Sequence, residues 1–124
     1  MCPDISFNSH GHWINEYRLN MWGNNGVAYQ NRYQLLRYRN SEITFSVGAP
    51  PGADILDGLI LSPVPIPAKC HVTVRRINST ISLYINGRRL ASLVDPDPLP
   101  ASGKVGLGVS WDLRATFDNF VVRK

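Results

Sequence analysis

Two histidines flank a glycine near the start of the chain, in His10-Gly11-His12, and an imidazole can act as a general base or bind a metal. Two histidines alone do not make a zinc site, which needs three or four ligands at characteristic spacing, so no metal site is predicted. A base at either histidine, with Tyr17 or Arg18 neutralising a uronate, would suit proton abstraction by a polysaccharide lyase. This enzymatic hypothesis requires the four side chains to converge in one cleft.

The carboxylates do not form the pair that a glycosidase needs, since two carboxyl groups must flank the scissile bond at a fixed separation. Glu16 and Glu42 are the only glutamates, and neither is followed two residues later by an aspartate. Asp112 follows Trp111 and could join a structural calcium site, but one carboxylate does not define such a site, so no cofactor is predicted. Solvated turn roles are expected for the aspartates in Gly- or Pro-rich connectors: Asp54, Asp57, Asp95 and Asp97.

The best set of candidate binding residues lies on a predicted strand over residues 15–22. If every second residue from Tyr17 faces the core, then Arg18, Asn20 and Trp22 project together from the opposite face. Sugars combine C–H patches with rims of hydroxyls, so an exposed indole beside amide and guanidinium groups predicts a glycan-binding platform. The alternative is that Trp22 caps a sheet edge and its polar neighbours contact water. Nearby residues add amides, a ring and a charge: Asn24, Asn25, Tyr29 and Arg32.

Strands must position these residues, because period-2 alternation recurs along the chain and no segment has the spacing of an amphipathic helix. The alternation is clearest over residues 17–22, 43–47, 81–86 and 105–109. Weaker strands are predicted over 33–39, 56–61, 70–77, 89–94 and 115–122. Asn86-Gly87 and Asn24-Asn25-Gly26 predict tight hairpins, and the three prolines within 95–100 predict a stiff loop. Many short strands bounded by turns predict an all-β antiparallel sandwich or jelly roll.

The composition predicts one packed domain over residues 1–124, with 44% hydrophobic and 18% charged residues. No apolar run approaches the roughly 20 residues that cross a bilayer, and no secretory signal is visible, so no membrane partner is predicted and the compartment stays open.

The net charge of +4 is dispersed in pairs and assists attraction of uronate- or sulfate-bearing glycans. Without a basic helix or nucleic-acid motif, no nucleic-acid partner is predicted. Cys2 and Cys70 could form one disulfide, although two separate thiols are favoured, and Asn78-Ser79-Thr80 fits an N-glycosylation triplet in an expected surface turn.

A series of motifs in residues 70–124 supports a more specific interpretation. Two strands joined at Asn86-Gly87 are followed by the proline loop over 95–100, by Gly103-Lys-Val-Gly-Leu-Gly and by Phe117-Asp-Asn-Phe. In this order the motifs resemble the C-terminal half of the concanavalin A-like lectin/glucanase superfamily. The similarity is closest to jelly-roll modules of bacterial polysaccharide-degrading proteins, including domains similar to 3-keto-disaccharide hydrolases. It implies a concanavalin A-like jelly roll, carbohydrate binding, and an extracellular or periplasmic location.

The chain departs from this superfamily in two respects. The Glu-x-Asp-x-x-Glu pattern of its retaining glucanases is absent, and complete members are usually longer, so a reduced or partial jelly roll is expected. A reduced sandwich would expose a sheet edge through which two copies could pair as a homodimer. Two alternatives to a binding module follow: a glycoside hydrolase or polysaccharide lyase relative acting on an acidic glycan, and a structural or assembly module with an exposed apolar face or edge.

Overall fold

All regular secondary structure in the described part of the chain is strand. The computed structural model describes residues 3–11, 14–22, 31–47, 60–67, 69–109, 117 and 120–123. These ranges contain β1 (Pro3–Ser9), β2 (Glu16–Trp22), β3 (Arg32–Arg39), β4 (Glu42–Val47), β5 (Ile60–Leu61), β6 (Val72–Ile77), β7 (Thr80–Ile85), β8 (Arg88–Val94) and β9 (Lys104–Val109). The prediction of an all-β chain is therefore confirmed for these residues. None of them belongs to a helix that could cross a membrane.

The strands form two antiparallel sheets. Sheet A has the order β4-β3-β2-β1-β9, with the short β5 also paired to β3, and sheet B has the order β6-β7-β8. The sequence-based prediction missed β1, which lies between β2 and β9 and carries Ile5 and Phe7 on its core face. Only two apolar residues alternate there, which is too short a run to predict a strand from periodicity.

The core lies between the two sheets, as in a β-sandwich. Tyr17, Leu19 and Leu35 of sheet A belong to the same buried cluster as Ile81, Leu83 and Ile85 of sheet B. Each of these side chains is at most 1% exposed, so burying each aliphatic one contributes roughly 1.5–3 kcal/mol to folding. The alternation that predicted these inward positions is confirmed.

Two-residue turns with positive φ connect consecutive strands. Asn86 and Gly87 have φ of 50° and 78°, which confirms the tight hairpin predicted between β7 and β8. Asn40 and Ser41, with φ of 50° and 68°, join β3 to β4 in the same way. Asn78, with φ of 55°, is exposed in the turn between β6 and β7, as predicted. The hairpin predicted at Asn24-Asn25-Gly26 lies outside the described residues.

Three of the weaker strand predictions are not matched in full, and the one over 70–77 is met only from Val72, where β6 begins. Over 115–122, Phe117 and residues 120–122 are not in a strand, and Phe117 and Phe120 are 43% and 54% exposed. Asp118-Asn119 interrupts the alternation there, and an extended segment is stable as a strand only when a sheet pairs with it. Over 56–61, the described residues Ile60 and Leu61 form β5, and 56–59 lie outside the described residues.

The proline-rich loop after β8 closes one end of the sandwich and leads into β9. Arg37 of sheet A and Arg76 of sheet B both donate to its backbone: Arg37 to the Asp97 carbonyl at 2.6 Å, and Arg76 to the Pro100 carbonyl at 3.2 Å and to the Leu99 carbonyl. Where the loop meets β1, Gly103 has φ of 127°, and a Cβ there would lie 2.6 Å from the Asn8 carbonyl carbon. A side chain at this position is therefore excluded both by conformation and by space.

Candidate binding site on the outer face of sheet A

The candidate site lies on the face of sheet A that points away from sheet B, here called the outer face of sheet A. Antiparallel pairing places Asn20 opposite Gln34, Trp22 opposite Arg32, and Arg18 opposite Leu36. Directly opposite residues project to the same side of a sheet, so four predicted binding residues share this face. Together with their neighbours the face comprises Ser6, Glu16, Arg18, Asn20, Trp22, Arg32, Gln34, Leu36, Tyr38 and Ser46.

This face is not an open platform, which corrects the sequence-based prediction. Arg18, Asn20 and Trp22 are 2%, 4% and 2% exposed, and Arg32 is half-buried. The strand β2 has a neighbour on each side, so its side chains stand among those of β1 and β3. Alternation predicts which face a residue occupies but not how deeply it is buried.

Arg18 and Glu16 form a buried ion pair on β2. Nε and Nη2 of Arg18 donate to the same carboxylate oxygen of Glu16, at 3.0 Å and 2.7 Å, and Ser9 Oγ donates to the other oxygen at 3.3 Å. The side chains are 2% and 0% exposed. The role of Glu16 was not predicted from the sequence, because the carboxylates were considered only as the pair that a glycosidase needs. The available signal was Glu-x-Arg on one strand, which places opposite charges on one face.

Next to this ion pair lies a pair of amides. Asn20 Nδ2 donates to Gln34 Oε1 at 2.9 Å across β2 and β3, and both side chains are buried. Gln34 was missed by sequence reasoning, because its role depends on the register between the two strands. The amide pair presents donors and acceptors at fixed positions, which is the chemistry that recognises hydroxyl groups.

Two buried polar atoms on this face have no hydrogen-bond partner among the described residues: Trp22 Nε1 and Ser46 Oγ. A buried donor without a partner costs about 1–3 kcal/mol, so native structures contain few of them. Both atoms belong to residues whose cross-strand neighbours lie on the outer face of sheet A. This face therefore holds hydrogen-bonding capacity that the described protein groups do not use.

Tyr17, a candidate catalytic residue, lies on the opposite face of β2 and enters the closed end of the core. Its hydroxyl donates to Asp95 Oδ2 at 2.6 Å and accepts from the Leu99 amide at 3.1 Å. Burial and the hydrogen bond to Asp95 raise the pKa of Tyr17 to about 12. A phenol with this pKa stays protonated at neutral pH, so here Tyr17 serves as a hydrogen-bonding group of the core.

Asp95 corrects the expectation of a solvated turn carboxylate, because it is 1% exposed. It accepts hydrogen bonds from Tyr17, from the Asp97 amide at 2.9 Å and from Arg37, with which it forms a buried ion pair. Burial alone would raise the pKa of Asp95, but the hydrogen bonds from Tyr17 and Arg37 outweigh burial and lower it. Asp97 does fit the expectation, with a side chain that is 74% exposed.

The convergence that the lyase hypothesis requires is not present among the described residues. Tyr17 and Arg18 occupy opposite faces of β2, and His10 is exposed after β1, where its Nε2 lies 3.2 Å from the Ser102 carbonyl. Adjacent residues of a strand point in opposite directions, so Tyr17 and Arg18 cannot line one cleft. Four other predicted site residues lie outside the described residues: His12, Asn24, Asn25 and Tyr29.

In the described ranges, no three His, Cys, Asp or Glu side chains are grouped so as to hold a metal ion, and Asp112 lies outside those ranges. Cys70 is a free thiol packed against the core, and burial raises its pKa.

Comparisons of the chain with protein-family models, with curated proteins and with solved structures find no match. The resemblance to the concanavalin A-like superfamily thus depends on the motif order alone and stays a prediction.

Proposed function

We propose that this chain is a reduced concanavalin A-like jelly roll that binds carbohydrate on the outer face of sheet A. The motif order over 70–124 supports the fold, and two antiparallel sheets around one core are consistent with it. The composition of the outer face supports the function, because amide, guanidinium, carboxylate and indole groups occur together there. These are the groups that recognise sugar hydroxyls and the apolar side of a sugar ring.

The observation that carries the proposal is the unpartnered indole N–H of Trp22. Its ring is 2% exposed, and its Nε1 donates to no group in the described ranges. A ligand oxygen at this position would satisfy a donor whose burial is otherwise unfavourable. A sugar hydroxyl supplies such an oxygen and can also donate in return to neighbouring acceptors.

The neighbouring groups are held ready for the same ligand. Asn20 and Gln34 fix each other through their 2.9 Å hydrogen bond, and the ion pair with Glu16 fixes Arg18. Because these side chains are already ordered, binding costs little conformational entropy.

The test is binding of wild type, Trp22→Phe and Trp22→Ala to a glycan array, followed by calorimetry on the glycans that bind. Phenylalanine keeps an aromatic ring and removes the indole N–H. Loss of one hydrogen bond of about 1 kcal/mol predicts an affinity about fivefold lower for Trp22→Phe, with a larger loss for Trp22→Ala. Circular dichroism and urea denaturation of each variant separate lost binding from lost folding.

Glu42→Gln is the matched control, because Glu42 is exposed at the start of β4 and pairs with Arg39, which does not belong to the outer face of sheet A. It should bind like wild type. Equal affinity of Trp22→Phe and wild type, or no binding of wild type to any glycan, would refute the proposal.

A further inference from the structure

The outer face of sheet B, which points away from the core, is an open cationic surface. Leu83 and Val74 face the core, and the register places the alternate residues of β6, β7 and β8 on the opposite side. An extra residue in β8 at Leu90 keeps Arg89 opposite Tyr84, so the arginine shares this outer side. The surface comprises Thr73, Arg75, Ser82, Tyr84, Arg89 and Ser92, with Thr80 and the exposed apolar side chains Ile77 and Val94 at one end.

Arg75 and Arg89 differ from Arg18, Arg37 and Arg76, which form hydrogen bonds within the protein. Both are exposed, and neither forms a hydrogen bond or an ion pair in the part of the chain that the structure describes. The contrast is clearest with the adjacent Arg76, which points inward and donates to Asn8 Oδ1 at 2.8 Å and to the 95–103 loop. The guanidinium groups of Arg75 and Arg89 therefore retain all their donors for an external anion.

No carboxylate neutralises this surface from within the sheet. The sequences of β6, β7 and β8 contain neither Asp nor Glu. Hydroxyl groups lie between the charges instead, and Ser82 Oγ is 3.3 Å from Ser92 Oγ. A surface of this composition attracts an anionic partner that also carries many hydroxyl groups.

The spacing of the charges favours a chain over a single small anion. Arg75 pairs with Ser82 and Arg89 with Tyr84, so the arginines lie two strands apart and two residues apart along the sheet. With about 4.8 Å between strands and about 3.4 Å per residue, their Cα atoms are about 12 Å apart. Two forked guanidinium groups at this distance suit carboxylate or sulfate groups on different sugars of one polymer.

We propose that the outer face of sheet B binds an acidic polysaccharide bearing uronate or sulfate groups. Arg75 and Arg89 bind the anionic groups, Tyr84 contacts a sugar ring between them, and the serine hydroxyls bind sugar hydroxyls. Nucleic acid fits less well, because its phosphates are closely spaced and its bases need several aromatic side chains for stacking, whereas this face has one. The site is separate from the outer face of sheet A and does not depend on the function proposed there.

The experiment measures binding of the full chain to dextran sulfate and to polygalacturonate at low salt by affinity electrophoresis, with unsubstituted dextran as the neutral probe. Wild type should bind one or both acidic polymers and not dextran. Arg75→Gln/Arg89→Gln should lower the affinity about tenfold, since each exposed charge contact contributes up to about 1 kcal/mol.

The matched control is Lys104→Gln/Arg123→Gln, which removes the same two charges from exposed positions outside sheet B. It should change the affinity less than about twofold. Equal losses in both double variants would overturn the proposal, because net charge alone would then explain binding. Failure of wild type to bind either acidic polymer, or tighter arginine-dependent binding of single-stranded DNA, would also overturn it.

Discussion

Replacing Asp95 with asparagine tests the buried network at the closed end of the sandwich. The carboxylate accepts from Tyr17 of β2, from the Asp97 amide and from Arg37 of β3, and Arg37 is only 6% exposed. Asparagine keeps the shape of the side chain but leaves the Arg37 guanidinium buried without its counter-charge. Breaking a buried ion pair in this way costs about 3–5 kcal/mol.

The lower end of that range is expected here. Arg37 keeps its hydrogen bonds to Thr44 Oγ1 at 3.1 Å and to the Asp97 carbonyl at 2.6 Å, and the asparagine oxygen can still accept from Tyr17. We therefore predict a loss of about 3 kcal/mol in the free energy of unfolding at pH 7. Against a typical total of about 5–15 kcal/mol, a loss of this size is readily measured by urea denaturation followed by tryptophan fluorescence.

The effect of pH has a definite sign. The pKa of Asp95 is lower in the folded protein than in the unfolded chain, so its carboxylate stabilises the fold above about pH 4. That stabilisation is lost as the pH falls through the folded-state pKa, because the proton then binds both states. The difference between wild type and Asp95→Asn should accordingly shrink below about pH 4.

Asp97→Asn is the matched control, since its carboxylate is 74% exposed and lies 3.4 Å from Arg39. An exposed ion pair contributes at most about 1 kcal/mol, so this variant should remain close to wild type. The reasoning fails if Asp95→Asn loses no more stability than Asp97→Asn, or if its deficit is the same at pH 7 and in acid.

Two further predictions concern residues that contact the same loop. Tyr17→Phe removes the hydroxyl that donates to Asp95 and accepts from the Leu99 amide, so we expect a loss of about 1–3 kcal/mol at pH 7. Because the pKa of Tyr17 is raised to about 12, its protonated form stabilises wild type fully below about pH 10, and this contribution is lost as the pH rises from about 10 to 12. Urea titrations across this range should show a smaller alkaline loss in Tyr17→Phe than in wild type; parallel losses would contradict the assignment. Gly103→Ala should lower the melting temperature more than Gly87→Ala, because a Cβ at Gly103 meets the β1 backbone at 2.6 Å, whereas one at Gly87 meets nothing within 4 Å. Equal shifts in thermal denaturation would show that backbone conformation alone determines the cost.

Sheet B was the part of the fold most predictable from sequence. Its strands are joined by short turns, and Asn86-Gly87 is a strong local signal for the hairpin between β7 and β8. Alternation over 81–85 then places the aliphatic residues on the core face. Neighbouring strands connected in this way leave little freedom in register, so local sequence is sufficient.

Sheet A and the candidate site were less predictable, because their contacts join distant parts of the chain. Tyr17 and Asp95 are 78 residues apart, and a proline-rich loop gives no local signal that its first carboxylate is buried. The shared face of Arg18, Asn20 and Trp22 followed from alternation, but the burial of these residues and the pairing of Asn20 with Gln34 depend on the neighbouring strands. Periodicity contains no information on either property.

The arginines at the 95–103 loop have a mechanical consequence. Arg37 comes from one sheet and Arg76 from the other, and both hold the backbone of a single peptide segment. If either layer slid past the other, at least one guanidinium would have to release its carbonyl. The two layers are thereby locked against shear and are expected to melt as one cooperative unit.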